Sequence, residues 1–85
     1  MLTLVKFTAE HIGRTRGTAL VRDLEAKDFC VSAARMDPVF ENQLIVIVNC
    51  DKGEDVKVRD AIWAVNGGAC CDVDVITADD LEEYL

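Results

Sequence analysis

The sequence predicts one small α+β domain built on a mainly antiparallel or mixed sheet of about four to five strands with two helices. Three observations carry this reading. A chain of 85 residues has room for one hydrophobic core and no second lobe. Period-two alternation of apolar and polar residues recurs in short stretches, as half-buried strands require. One segment of helical spacing follows a β-branched run in the second half. The composition, 51% hydrophobic and 29% charged with a single proline, belongs to a folded globular chain and not to a disordered one.

The elements follow in order. Leu2 to Phe7 alternates Leu, Val and Phe with Thr and Lys, which predicts a first strand. Thr8 then suits the cap of a short turn, and Gly13 and Gly17, with Arg14 and Arg16 between them, predict a loop. Thr18 to Leu24 and Asp28 to Met36 read as a hairpin joined by Glu25-Ala26-Lys27, with Phe29, Val31 and Ala33 on one side of its second strand. Asp37-Pro38 ends that strand, because proline restricts the residue before it and donates no hydrogen bond. Leu44 to Val48 is a continuous β-branched and leucine run, which predicts a central strand covered on both faces.

Val58, Ala61, Ile62 and Val65 recur at helical spacing, and Glu54 and Asp55 complement a helix N-terminus, so a helix is expected over residues 55–66. Gly67 and Gly68 supply the geometry that ends it. Asp72 to Ile76 alternates as a short strand, and Thr77 with Asp80 reads as the capped start of a short terminal helix reaching Leu85. No internal repeat or linker divides the chain.

Nine basic against sixteen acidic residues give a formal charge of −7, which repels phosphate backbones and anionic lipid. Neither a nucleic acid nor a membrane is expected as a partner. Residues 1–35 hold six Lys or Arg and four Asp or Glu, whereas residues 36–85 hold three and twelve. The second half is an acidic solvated surface or a patch that docks on a basic partner. No apolar run approaches the roughly 20 residues of a membrane span, and the N-terminal stretch lacks the pattern of a signal peptide. A cytoplasmic location is therefore expected, with Cys30, Cys50, Cys70 and Cys71 as free thiols.

Candidate chemistry is sparse. The cysteines lack the C-x-x-C spacing of a zinc site. Cys30 and Cys50 read as small buried hydrophobes, while Cys70 and Cys71, behind two glycines, keep open an exposed redox-active pair. His11, the single histidine and the one imidazole base available to a cysteine nucleophile, falls in an expected loop. Among the carboxylates Asp51, Glu54, Asp55, Asp60, Asp72 and Asp74, the most selective is Asp51. It lies beyond the carboxyl end of the central strand, where ligands of open α/β sheets gather, although a turn aspartate is the plainer role. Arg14, Arg16 and Arg22 suit a phosphate or carboxylate, with Gly13 and Gly17 letting the backbone approach. No nucleotide-binding or esterase motif occurs. Trp63, beside the apolar stripe of the expected helix, reads first as an anchor within the fold and second as an interface residue.

The stretch QLIVIVNCDKGEDVKVRDAIWAV, residues 43–65, resembles the strand, Asp-rich turn and helix near the C-terminus of UbiD-type decarboxylases. The residues that carry the resemblance are Ile45 to Val48, Asp51, Glu54, Ile62, Trp63 and Ala64, with a looser echo at Asp72, Val73 and Val75. In that family a prenylated flavin is held by a larger domain whose catalytic arginine and glutamates lie upstream of this segment, so no catalytic residue carries over. The resemblance implies a small accessory subunit of a UbiD-like aromatic carboxylase, binding no cofactor itself. Its partners are then larger UbiD-like chains that hold the prenylated flavin and a divalent metal. The alternatives are a small acidic regulatory or inhibitory module acting on a basic surface, and a stand-alone enzyme using Cys70 or Cys71 with Asp51. Asp51, Trp63, Cys70 and Cys71 are the residues to locate.

Overall fold

A computed structural model describes residues 2–66 and 71–85. In chain order these form β1 (Thr3–Glu10), α1 (Arg14–Ala26), β2 (Cys30–Met36), β3 (Gln43–Cys50), α2 (Glu54–Asn66), β4 (Cys71–Ile76) and α3 (Ala78–Glu82). The strands make one sheet in the order β2-β3-β1-β4, every neighbouring pair antiparallel. Two β-α-β units are thus interleaved, the split β-α-β or ferredoxin-like arrangement, and a short third helix follows. The expected α+β class with an antiparallel sheet holds.

The first half departs from the sequence reading at α1. Residues 14–26 are helical where a loop and a strand are expected, and the hairpin of 18–24 with 28–36 does not form. Gly13 and Gly17 mislead because neither breaks the helix. Gly13 is the N-cap residue in extended geometry, and Gly17 sits in the helix interior, buried against Leu44 and Met36. The buried positions Gly17, Leu20 and Leu24, with Val21 partly buried, form a helical stripe. A stop signal without a glycine completes the helix. Asp28 adopts φ 65°, its N–H donates to the Glu25 carbonyl, and the Phe29 N–H donates to the Leu24 carbonyl. This is a Schellman closure with aspartate in the left-handed position glycine usually fills.

β1 runs on through Thr8 to Glu10 and makes no turn there, because it is paired on both sides, with β3 and with β4. β2 pairs with β3 and carries a bulge between Val31 and Ala33, so Val31 opposes Val48 and Ala33 opposes Ile47. These two side chains therefore face opposite sides of the sheet, contrary to the alternation expected. Asp37 closes the β2–β3 connection. Its carboxylate accepts from the Val39 and Phe40 N–H groups at 2.8 and 3.1 Å, contacts that hold its pKa below the ordinary carboxylate value.

One face of the sheet packs on α1 and α2. Phe7, Leu20, Leu24, Val46, Val48, Val58 and Ile62 are fully enclosed there. Asn66 ties the two helices to the sheet: its amide donates to the Glu10 carbonyl at 2.6 Å and its side-chain oxygen accepts from Arg16 at 3.0 Å. On the other face Ile45 and Ile47 are also buried, as a central β-branched strand predicts. α3 starts at a capping box of Thr77 with Asp80, and the residues after it lie across this second face. Lys6 donates to the Tyr84 hydroxyl, and Arg35 donates to the Glu83 carbonyl. Lys6 and Arg35 are the register neighbours of Ile47 and Ile45, so the tail roofs those two isoleucines.

Candidate functional site

β3 delivers Asp51 to the turn before α2. Its N–H donates to the Glu54 carboxylate at 3.2 Å, and the Glu54 N–H donates back to the Asp51 carbonyl at 3.0 Å. Gly53, at φ 87°, provides the left-handed step that turns the strand into the helix. Asp51 is thus a turn residue, and it also stands on the rim of a groove of about 650 Å³. The groove has an apolar floor of Val5, Cys50, Val73 and Val75 and a polar end at Asp51, Lys52 and Asp55. Cys50 is buried in that floor. Desolvation pushes its thiol up to about 11, and the carboxylates of Glu54, Asp55 and Asp51 oppose the thiolate further. A thiol in this state is a hydrophobe and a poor nucleophile.

α2 meets β4 but leaves Val73 and Val75 open, and the groove lies there. Val73 and Val75 oppose Phe7 and Val5 in register, so they point to the same side as the core, yet Val73 is 38% and Val75 72% exposed. Asp72 and Asp74 point to the opposite side and are exposed as well.

Trp63 is not a core anchor. It lies on the outer face of α2, 44% exposed, with the Arg59 guanidinium 5.5 Å from its ring centroid. Val56, seven positions earlier and two helical turns away, is exposed on the same stripe. Asp51 and Trp63 are thus held at opposite ends of α2 and share no site. Cys70 lies outside the described residues, as do Gly67, Gly68 and the side chain of Cys71, whose backbone opens β4 opposite Ala9.

The other candidates disperse. Cys30 is exposed and not buried, because it occupies an edge strand, and it is free, as is Cys50. His11 is exposed after β1, at φ 58°. The three arginines do not converge, since helix α1 turns Arg14 and Arg16 to different sides. Arg14 lines a cleft of about 160 Å³ with Arg35, whereas Arg16 donates to the Val65 carbonyl and Asn66 at the end of α2. There it supplies the positive charge that the last turn of α2 lacks. Among the described residues no group of three or more His, Cys, Asp or Glu is placed to hold a metal ion, and no helix is long and apolar enough to cross a membrane.

Asn66, the buried polar link between helices, and the exposed edge of β4 are the features the sequence reading missed. The first had no pattern to betray it. The second was written in Val73 and Val75 but required the position of α2 to be seen. Compared with protein-family models and with curated proteins, the chain matches none.

Proposed function

We propose that this chain is a small cytoplasmic accessory subunit, without a catalytic site of its own, of a UbiD-like aromatic carboxylase or decarboxylase complex. Phenylphosphate carboxylase, an enzyme of anaerobic aromatic degradation, is the case in mind, with this chain as its small gamma subunit. In this reading the larger UbiD-like chains hold the prenylated flavin and the divalent metal, and this chain supplies a docking face. The observation that carries the reading is the outer stripe of α2, where Trp63 and Val56 are left exposed with Arg59 stacked on the indole. Tryptophan and arginine are enriched among the residues that dominate the energetics of protein interfaces. The direction of the proposal comes from the sequence of residues 43–65 and its resemblance to the C-terminal segment of UbiD-type decarboxylases; these residues form β3, the turn at Asp51 and most of α2.

The test is coexpression with large UbiD-like chains, followed by purification and assay of carboxylation. The chain is expected to copurify and to raise activity when added back. Trp63→Ser is expected to weaken assembly by about tenfold or more, a loss of about 1.4 kcal/mol, with the thermal midpoint of the isolated chain little changed. A chain that binds none of the large subunits and leaves turnover unaltered would overturn the proposal. A second reading, an acidic regulatory or inhibitory module, is supported by residues 71–85, which hold six Asp or Glu and no Lys or Arg. It is distinguished by an addition that lowers the partner's activity.

A further inference from the structure

The two edges of the sheet are finished differently. β2 is interrupted by the bulge after Val31, a device that spoils an edge for further pairing. β4 has no such interruption: its register with β1 is continuous from Cys71 opposite Ala9 to Ile76 opposite Leu4, and no described strand lies on its outer side. Residues Asp72, Val73, Asp74 and Val75 are all exposed, so among the described residues the outer side of β4 is left without a neighbouring strand. A regular, open edge of this kind is a template for strand addition.

The two faces specify what can be added. On the helix side Val73 and Val75 adjoin the groove floored by Val5 and Cys50, so alternate residues of an incoming strand bury apolar surface there. On the other side the incoming residues meet Asp74, backed by Asp79, Asp80, Glu82 and Glu83 on and after α3, with no Lys or Arg in residues 71–85. Lys6, which opposes Asp74 in register, is engaged by Tyr84, 5.6 Å from its ring centroid. A second copy of this chain fits poorly. The two longest antiparallel β4 to β4 registers that keep the valines on one face place Asp74 beside Asp74 or Asp72 beside Asp74, and like charges directly opposite are destabilising.

We infer that the outer edge of β4 binds an extended segment of a partner protein in which apolar residues alternate with lysine or arginine, adding it to the sheet as a fifth strand. The inference is independent of which functional reading above holds, because it concerns the chemistry of the segment and not the identity of its owner.

The experiment uses the full chain, isotope-labelled for NMR, titrated with a synthetic eight-residue peptide alternating valine and lysine. Two control peptides alternate valine with glutamate and threonine with lysine. Shifts are expected in β4 amides and in the Val73 and Val75 methyls. The valine–lysine peptide should bind at least about tenfold more tightly than either control, with affinity that falls as salt is added. Val75→Lys, at a side chain already exposed, should reduce that affinity about tenfold without altering the thermal midpoint. Asp74→Lys should shift preference toward the valine–glutamate peptide. Equal affinity for the three peptides, shifts confined to β2 or α2, or concentration-dependent self-association through β4 would each overturn the inference.

Discussion

At Cys50 a small side chain reports how far its surroundings are closed to water. Its 2% exposure and the carboxylates that begin α2 favour the neutral thiol, raising its pKa from 9.0 to about 11. The linkage has a definite sign. Between those two values the unfolded chain loses its proton first, so the stability present below pH 9 declines as pH rises toward 11. Denaturant midpoints measured from pH 7 to pH 10.5 should therefore fall in the upper part of that range, and Cys50→Ala should flatten the fall. Reaction with a thiol reagent at pH 8, resolved by peptide mapping, should be slower at Cys50 than in the unfolded chain by on the order of 100-fold from thiolate fraction alone. Comparable rates in the native and unfolded states would show that the groove floor is open to solvent.

Helix α1 shows how an element survives two glycines. Gly17 is buried, and a methyl group at its Cβ position meets Leu44 and Met36 side-chain atoms at 3.5 to 3.7 Å, ordinary contact distances. Glycine inside a helix costs about 1 kcal/mol relative to alanine. Gly17→Ala is thus expected to stabilise the chain by about 0.5 to 1 kcal/mol, read as a rise in urea midpoint at constant m-value. A drop would mean that the close approach of α1 to β3 cannot yield by even a few tenths of an ångström. The same element directs the Arg16 guanidinium to the C-terminus of α2, where it donates to the Val65 carbonyl and to Asn66. Substituting it for a phosphate-binding test would loosen the helix pair instead.

For the whole molecule, the sheet has one face packed on two helices except along β4, and a second crossed, among the described residues, by the short tail. Ile45 and Ile47, 6% and 0% exposed, depend on the residues after β4 for that cover. Removing residues 77–85 is expected to uncover them and to cost on the order of 3 kcal/mol, since burying an isoleucine is worth about 1.5 to 3 kcal/mol. Urea unfolding of the shortened chain measures this, and unchanged stability would mean that the strands shield the isoleucines by themselves. Among the described residues, the outer stripe of α2 and the edge of β4 both remain open.

How much of this was legible beforehand depends on how local the signal is. The β3 run, the α2 spacing, the short β4 and the Thr77 cap of α3 were readable from neighbouring residues, because strand alternation, helical periodicity and capping are set within a few positions of the chain. The free state of Cys30 and Cys50 was expected too, though the exposure of Cys30 was not. α1 was hidden because Gly13 and Gly17 read as local breakers, whereas Gly13 caps the helix and the penalty of Gly17 is offset by packing against Leu44 of β3, a contact between residues far apart in sequence. The bulge in β2 likewise exists only as a mismatch between two strands. The sequence by itself determined the class of the fold, the charge of its second half and the turn role of Asp51. The exposure of Trp63 and Val75 came only from the packed molecule, because it depends on which side α2 turns to the sheet and how much of β4 it covers, and no stretch of chain carries that placement within itself.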